Sequence, residues 1–351
     1  MHKIDTSGHV ANQFYDGSPG SGTPGTIVDD DWLNAVQGEL VNSIETLGGT
    51  LSKGTNNQLA SILESIVFNN WFARTLPTSS NWSAIAWNGT VFCAVSHFSD
   101  AAATSPDGVV WTAQTNATVD YWTSIAWNGS VFCAIAAGPS NAASTSPDGI
   151  TWTARTLPSS AYWSSIAWNG SVFCAISTGP SNVAATSPDG VTWTARTLSS
   201  TAQWNSIAWN GTVFCAVAGG GVTTAATSPD GITWTPRTLP SSSNWSAIAW
   251  NGTVFCAIAA SGTAAATSPD GENWTARTLP ASANWTAIAC NGSVFCAVAG
   301  SSSNTAATSH DGVTWTARML PSSSNWGAIA SNEKLFAAIG GTTTAATNLS
   351  L

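Results

Sequence analysis

The chain is poor in charge. Only 8% of its residues are charged, against about 25% in an average soluble domain. Nine lysines and arginines face 18 aspartates and glutamates, for a formal net charge of −9. Nucleic-acid binding requires a basic stripe, so no nucleic-acid partner is expected. Six of the nine basic residues are instead spread singly along the chain, at Arg74, Arg155, Arg196, Arg237, Arg277 and Arg318.

Long apolar runs and metal-binding cysteine spacings are also missing. No run of 18 apolar residues occurs, so membrane insertion is not expected. Residues 1–5 lack the apolar core of a secretory signal, which fits folding in a reducing cytoplasm. No C-x-x-C pair occurs, so we expect no metal site and no cofactor. Cysteine is predicted to be a small core residue, since six of seven occupy one repeat position: Cys93, Cys133, Cys174, Cys215, Cys256 and Cys296.

An internal repeat dominates what is present. The segment Trp-x-x-Ile-Ala recurs every 40 or 41 residues, and its tryptophans open repeats 1 to 7: Trp82, Trp122, Trp163, Trp204, Trp245, Trp285 and Trp326. In repeat 1, four short strands are predicted at 82–87, 90–96, 102–105 and 109–115. Seven such units predict an all-β fold, a seven-bladed β-propeller of four-stranded antiparallel blades.

Two dipeptides punctuate the repeats. Asn-Gly follows the first predicted strand and Asp-Gly follows the third. We expect both to form two-residue type I′ turns, which need positive φ at both residues. By strand parity both lie on one rim of the propeller, the turn rim. The opposite rim, the loop rim, carries connections that differ between copies, such as 97–100 and 116–121. Binding residues tend to lie on such loops.

The ends of the repeat array are predicted to pair. Repeat 7 reaches residues 344–347 and supplies three strands. A fourth is found at 71–77, which matches 152–158. Because an open ring leaves unpaired sheet edges, we expect strand 71–77 to close the last blade. The predicted domains are therefore a segment over 1–68 and the propeller over 69–351.

Candidate ligand residues lie at the loop rim. The tryptophans that open each repeat follow polar or aromatic residues, and an aromatic face beside amides suits a sugar ring; packing between blades is nevertheless the default expectation for most of them. The candidates are Trp82, Trp122, Trp163, Trp204, Trp245, Trp285, Trp326, Tyr121, Tyr162, His97, Asp100 and Asp120. Glycoside hydrolysis needs two carboxylates, and Asp100 with Asp120 is the one pair on offer. We interpret them as solvated loop carboxylates, and expect no catalytic residue and no enzyme.

The third-strand turn carries a resemblance. The stretch 146-SPDGITW-152 resembles the Asp-box of sialidase-like (BNR) propellers, although it is one residue shorter between Asp and Trp. The resemblance implies that the aspartate binds the backbone of its own turn, at Asp107, Asp148, Asp189, Asp230, Asp270 and Asp311. It does not imply sialidase activity, since the chain lacks a unique set of arginines, tyrosine and acid.

The N-terminal segment has helical spacing. Residues 29–49 place Trp32, Leu33, Val36 and Leu40 at helical intervals, and a second short helix is predicted at 57–67. Two short helices cannot bury a core alone, so self-association or docking onto a partner is expected.

This segment carries a second resemblance. The order of 14-FYDG-17, 22-GTPGT-26, 31-DWLNAVQGEL-40 and 56-NNQL-59 is similar to the N-terminal attachment region of phage and prophage tail-fibre proteins. The resemblance implies a homotrimer in the virion tail, made in the bacterial cytoplasm, with residues 1–68 bound to tail or baseplate proteins. The propeller is then expected to recognise a host cell-surface glycan. A glycosidase or depolymerase tailspike, a free multivalent lectin and a purely structural fibre cap are the alternatives.

Overall fold

A computed structural model describes residues 30–46 and 70–348. The chain divides into two units, Met1–Phe68 and Asn69–Leu351. In the first, one helix is described, α1 (Asp30–Thr46), within the helix predicted at 29–49. Trp32 and Leu33 belong to it; Val36 is half-buried and Leu40 is exposed. The helix predicted at 57–67 lies outside the described residues. No described helix is both long enough and apolar enough to cross a membrane.

Over its described residues, 70–348, the second unit is all β. Its 22 strands are β1 (Trp71–Trp87), β2 (Phe92–His97), β3 (Ser99–Ser105), β4 (Thr112–Trp127), β5 (Phe132–Ala137), β6 (Ser140–Ser146), β7 (Thr153–Trp168), β8 (Phe173–Thr178), β9 (Ser181–Ser187), β10 (Thr194–Trp209), β11 (Phe214–Gly219), β12 (Val222–Ser228), β13 (Thr235–Trp250), β14 (Phe255–Ala260), β15 (Ala264–Ser268), β16 (Thr275–Thr278), β17 (Trp285–Cys290), β18 (Phe295–Ala299), β19 (Ser303–Ser309), β20 (Thr316–Ser324), β21 (Trp326–Ser331) and β22 (Phe336–Asn348).

Long strands join successive repeats. The first half of β4 pairs antiparallel with β3, and its second half pairs antiparallel with β5. The same continuous strand thus ends one repeat and begins the next, and β7, β10 and β13 repeat the arrangement. The short apolar strands between them, such as β2 and β5, are buried along nearly their whole length. The first halves of the long strands are therefore largely exposed, whereas the Phe-Cys-Ala runs form the core.

The pairing predicted for 71–77 is present. β1 pairs antiparallel with β22, from Trp71 with Asn348 to Thr75 with Thr344. The first strand of the array thus completes the sheet of the last repeat, and the pairing satisfies two edges that would otherwise be open.

The type I′ prediction for the turns is wrong. In the described residues the glycines adopt positive φ, for example Gly89 at 97°, but Asn88 and Asp107 do not. Trp87 pairs with Phe92, so four residues rather than two connect the strands. The reason is that the Asn88 side chain accepts hydrogen bonds from the backbone of residues 90 and 91, which lengthens the turn.

Cysteine behaves as a core residue, as predicted. All seven cysteines are free thiols, and the six at the repeated position are fully buried. Burial raises the pKa of Cys133 far above its ordinary value, so the thiol stays protonated and unreactive. In residues 30–46 and 70–348, no three His, Cys, Asp or Glu side chains group closely enough to hold a metal ion.

Candidate ligand-binding site

The side chains of the tryptophans that open the repeats are buried. All seven are at most 1% exposed. Their indole Nε1 atoms donate to the carbonyl oxygen four residues earlier, as Trp82 does to Thr78 at 3.2 Å. The glycan-contact prediction is therefore wrong for Trp82, Trp122, Trp163, Trp204, Trp245, Trp285 and Trp326. The connection before each tryptophan folds over the ring and occupies its one polar group.

The residue after each tryptophan links neighbouring repeats. A β-bulge at this position turns its side chain toward the next repeat, where it donates to the tryptophan carbonyl. Ser83 reaches Trp122 O at 2.6 Å, and five further repeats make the same bond. Repeat 7 has Gly327 instead, whose ideal Cβ would lie 3.0 Å from Trp82 O. A central cavity of about 190 Å³ is lined by residues from all seven repeats.

The repeated aspartates are structural turn residues. Asp148 Oδ1 accepts hydrogen bonds from Ile150 N at 2.8 Å, Thr151 N at 2.9 Å and Ser146 Oγ at 3.1 Å. The bond from Thr151 N, outweighing burial, lowers the pKa of Asp148 below its ordinary value. The geometry recurs at Asp107, Asp189, Asp230, Asp270 and Asp311. These carboxylates therefore stabilise their own turns.

At one position on the loop rim, repeat 1 has a residue type that none of the other six repeats has. The residue six positions after the phenylalanine of the second strand has positive φ in every repeat, which suits glycine. It is glycine, serine or threonine in six copies: Gly138, Gly179, Gly220, Ser261, Ser301 and Thr342. In repeat 1 it is Phe98, with φ of 62° and a side chain 59% exposed. A bulky ring in a left-handed conformation and in solvent indicates a use other than packing.

Three neighbours of Phe98 depart from the repeat in the same way. His97 stands where the other repeats have alanine, threonine or glycine. Val119 is 68% exposed and replaces a serine or threonine present in the other six copies. Asp120 replaces an alanine or serine. These departures concentrate at the connection between repeats 1 and 2.

The departing residues come together around Tyr121. The Phe98 and Tyr121 rings lie 4.3 Å apart between centroids, and His97 lies 5.0 Å from Phe98 and 5.8 Å from Tyr121. Burial lowers the pKa of His97 below 6.5, which keeps the ring neutral at pH 7. Its Nε2 is buried and has no hydrogen-bond partner among the described residues.

Asp120 holds this cluster in place. Oδ1 accepts a hydrogen bond from Tyr121 N at 2.7 Å, and Oδ2 accepts one from Ser140 Oγ at 2.9 Å. An open aromatic cavity of about 540 Å³ lies here, lined by Phe98, Val119, Asp120, Tyr121, Ala137, Gly138, Pro139, Ser140 and Asn141. Aromatic faces beside a carboxylate and an amide can stack on the CH face of a sugar and accept from its hydroxyls.

Two predicted residues lie outside this cavity. Asp100 is half-buried in β3 and does not line it. Tyr162 is exposed at the next connection, where Gly138 stands in place of Phe98 and Ala161 in place of Asp120. The structure thus brings together His97, Asp120 and Tyr121 but leaves Asp100 and Tyr162 apart.

Sequence reasoning missed Phe98, Val119 and Asn116. Asn116 is 3% exposed and occupies a position that is a buried leucine in the other six copies. Its amide nitrogen has no hydrogen-bond partner among the described residues. The signal was available in the sequence, because aligning the repeats shows all three as exceptions.

Comparisons with known proteins agree on a propeller-like fold. A family model described as the DUF6242 beta propeller domain matches residues 196–326, which is less than half of the chain. The structure is similar to virginiamycin B lyase from Staphylococcus aureus, with a TM-score of 0.71 and 10% identity over 80% of this chain and 99% of that one. It is also similar to YCF48 bound to D1 peptide, with a TM-score of 0.63 and 17% identity over 81% and 96% of the two chains. At such identities the likeness shows the fold alone.

One curated relative matches over a short stretch. It is the uncharacterized protein StfP of Escherichia coli strain K12, 38% identical over 74 residues. The match covers 19% of this chain and 35% of StfP, so the chain spans about a third of that relative.

Proposed function

We propose that the seven repeats are seven blades of a closed β-propeller. Six side-chain bonds to tryptophan carbonyls link successive repeats, and every repeat contributes to one central cavity. The pairing of β1 with β22 supplies the last contact between the ends. The match to a propeller family model supports the same arrangement.

We propose further that the protein is a tail-fibre or receptor-binding protein of a phage or phage-like particle, and that its aromatic cavity binds a host cell-surface glycan. The observation that carries the binding role is the exposed cluster of Phe98, Val119 and Tyr121 around Asp120, at one connection out of seven similar ones. The tail role rests on the resemblance over residues 12–62, and the match to StfP is compatible with it.

Binding without turnover is favoured over hydrolysis. Both oxygens of Asp120 accept hydrogen bonds from the protein, and Asp100 does not line the cavity. A general acid and a base or nucleophile on opposite sides of a glycosidic bond are therefore not assembled there. Incubating the protein with host polysaccharide and assaying new reducing ends tests this, and their appearance would refute it.

A glycan array with the full chain tests the binding role. We expect binding to a restricted set of glycans, weakened tenfold or more by Phe98→Gly. The matched control is Tyr162→Ala, which removes an exposed tyrosine at the equivalent position of the next connection and should leave binding unchanged. Binding to a host surface protein but to no glycan would overturn the proposal.

The attachment role predicts partners for α1. Leu40 is 43% exposed on a helix whose Ile44 is buried, so part of its apolar side is available to other chains. We propose docking onto tail or baseplate proteins and a homotrimer. Leu40→Asp is expected to reduce incorporation into particles, with Glu39→Asp as the control. Unchanged incorporation and unchanged mass in solution would contradict this assignment.

A further inference from the structure

A second cavity adjoins the aromatic cavity. This polar cavity has a volume of about 340 Å³ and is lined by Asn81, Trp82, Ser83, His97, Thr123, Ala137, Trp163, Ser164, Thr178, Asn325 and Gly327. Ala137 lines both cavities. His97 lines the polar cavity, while its ring contacts Phe98 and Tyr121 of the aromatic one. The two cavities are therefore neighbours that share Ala137 in their walls.

The polar cavity offers hydrogen-bonding groups that are not used by the protein. The exposed side chain of Asn81 makes no hydrogen bond with the described residues. The buried Nε2 of His97 likewise lacks a partner among them. A buried polar atom without a partner costs free energy unless something binds it. The exposed amide of Asn81 can accept from and donate to a hydroxyl-rich ligand, and the His97 ring lines the same cavity.

Neither cavity provides a cation. Among the described residues, the six arginines each donate from Nε to a threonine Oγ1, as Arg155 does to Thr145 at 3.0 Å, and none of them lines a cavity. Lys334 lies in the turn that precedes β22, away from both cavities. The charge at the combined site is the carboxylate of Asp120. A carboxylated or phosphorylated sugar would therefore find repulsion and no counter-ion.

We propose that the ligand is an uncharged oligosaccharide of at least two sugar residues, one stacked on Phe98 and Tyr121 and the next in the polar cavity beside Asn81 and His97. This inference rests on the proposed glycan-binding function. It adds the charge, the minimum length and the direction of the ligand, which runs from the connection between repeats 1 and 2 past Ala137 to the polar cavity.

Titration with defined sugars tests the proposal. The probes are glucose, mannose, galactose and N-acetylglucosamine with their linear homo-oligomers of two to four residues, and tetragalacturonic acid as the acidic probe. For a neutral series that binds, we expect the Kd to fall at least tenfold from one residue to two. We also expect no binding of the acidic tetramer and no more than a twofold change in Kd between 50 mM and 500 mM NaCl.

Asn81→Ala separates the two cavities. In this variant the Kd should no longer fall tenfold from one sugar residue to two, while the monosaccharide Kd should stay within twofold of the wild-type value. Gln203→Ala is the matched control, since Gln203 has the same repeat position before the opening tryptophan of repeat 4, is exposed and lines neither cavity. Equal Tm values for both variants and the wild type would show that folding is intact.

The outcomes distinguish the two proposals. Length-independent binding that Phe98→Gly weakens tenfold or more would overturn the extended-ligand inference and leave the glycan-binding function standing. Preference for the acidic tetramer, with affinity falling steeply with salt, would overturn the uncharged ligand. Binding to none of these sugars and to no glycan on the array would overturn both.

Discussion

Replacing Phe98 with glycine should separate folding from binding. Phe98 has φ of 62°, and non-glycine residues in this region cost about 1 to 2 kcal/mol relative to their preferred conformations. Glycine is the residue that three other repeats use here: Gly138, Gly179 and Gly220. The substitution therefore restores the repeat pattern, and it removes the ring that forms one wall of the aromatic cavity.

The effect on stability should nearly cancel. Release of the strained φ stabilises the variant by about 1 to 2 kcal/mol. Loss of the ring contact with Tyr121 costs about 0.5 to 1.5 kcal/mol, and the greater freedom of glycine in the unfolded chain costs about 0.4 to 1 kcal/mol. The free energy of unfolding should thus change by at most about 1.5 kcal/mol in either direction, which corresponds to a Tm shift of at most about 3 to 6 °C.

Binding should change far more than stability. Covering a phenylalanine side chain is worth about 1.5 to 3 kcal/mol, so its loss should weaken binding tenfold or more. Tm by circular dichroism and Kd by calorimetry measure the two effects on the same sample. Ser261→Gly is the control, because Ser261 has φ of 70° at the same position of repeat 5 and lies outside the cavity. A Tm lowered by more than 8 °C (about 2 to 4 kcal/mol) with unchanged Kd would show that Phe98 is structural.

Three further predictions concern the other departures from the repeat and the turns. Asn116→Leu restores the leucine of the other copies and removes an unpaired buried amide, so unfolding in urea should show a gain of about 1 to 3 kcal/mol. Asp148→Ala removes three hydrogen bonds and should cost about 1 to 2 kcal/mol at pH 7, whereas Asp100→Ala should be neutral. Because the pKa of Asp148 is lowered in the folded state, the ionised carboxylate contributes to the free energy of unfolding above pH 3.8, and this contribution is lost as the pH falls through the folded pKa. The difference in Tm between Asp148→Ala and the wild type should therefore close toward pH 2. Burial lowers the pKa of His97, so the neutral imidazole contributes to the free energy of unfolding above pH 6.5, and this contribution is lost as the pH falls below that value. Between pH 6.5 and 5, the Tm of His97→Gln should therefore fall less than the Tm of the wild type.

The β architecture could be predicted because the same pattern of strands and turns recurs in every repeat. A strand pattern that recurs with turn dipeptides every 40 or 41 residues leaves few alternatives, and the match between 71–77 and 152–158 identified the pairing of β1 with β22. The turn geometry could not be predicted in the same way. An Asn-Gly pair fits a two-residue turn, but the side-chain bonds of Asn88 to two backbone amides select a four-residue turn with one positive φ.

The opening tryptophans show where strand patterns stop being informative. The sequence predicts that Trp82 begins a strand at the loop rim. Its position in the sequence does not show whether the indole ring is exposed at that rim or buried under the preceding connection. The preceding connection folds back so that Thr78 O accepts from the indole, which buries the ring. This cover depends on the path that the connection takes, which a strand pattern does not specify. The site residues, by contrast, needed only a comparison among copies, which singles out Phe98 and Val119.

The number of sites per chain separates a tail-fibre head from a free multivalent lectin. A lectin that used its repeats for multivalency would present the same site at each connection. In residues 70–348, Phe98, Val119 and Asp120 have no aromatic, aliphatic or acidic counterparts at the other connections, so one aromatic cavity of this kind forms per chain. Multivalent adhesion then has to come from oligomerisation, where linked sites raise the effective affinity without new contacts. Calorimetry with a short neutral oligosaccharide should give one ligand per chain, and the proposed trimer should bind three. A stoichiometry near seven per chain would show that the repeats themselves bind and would favour the lectin.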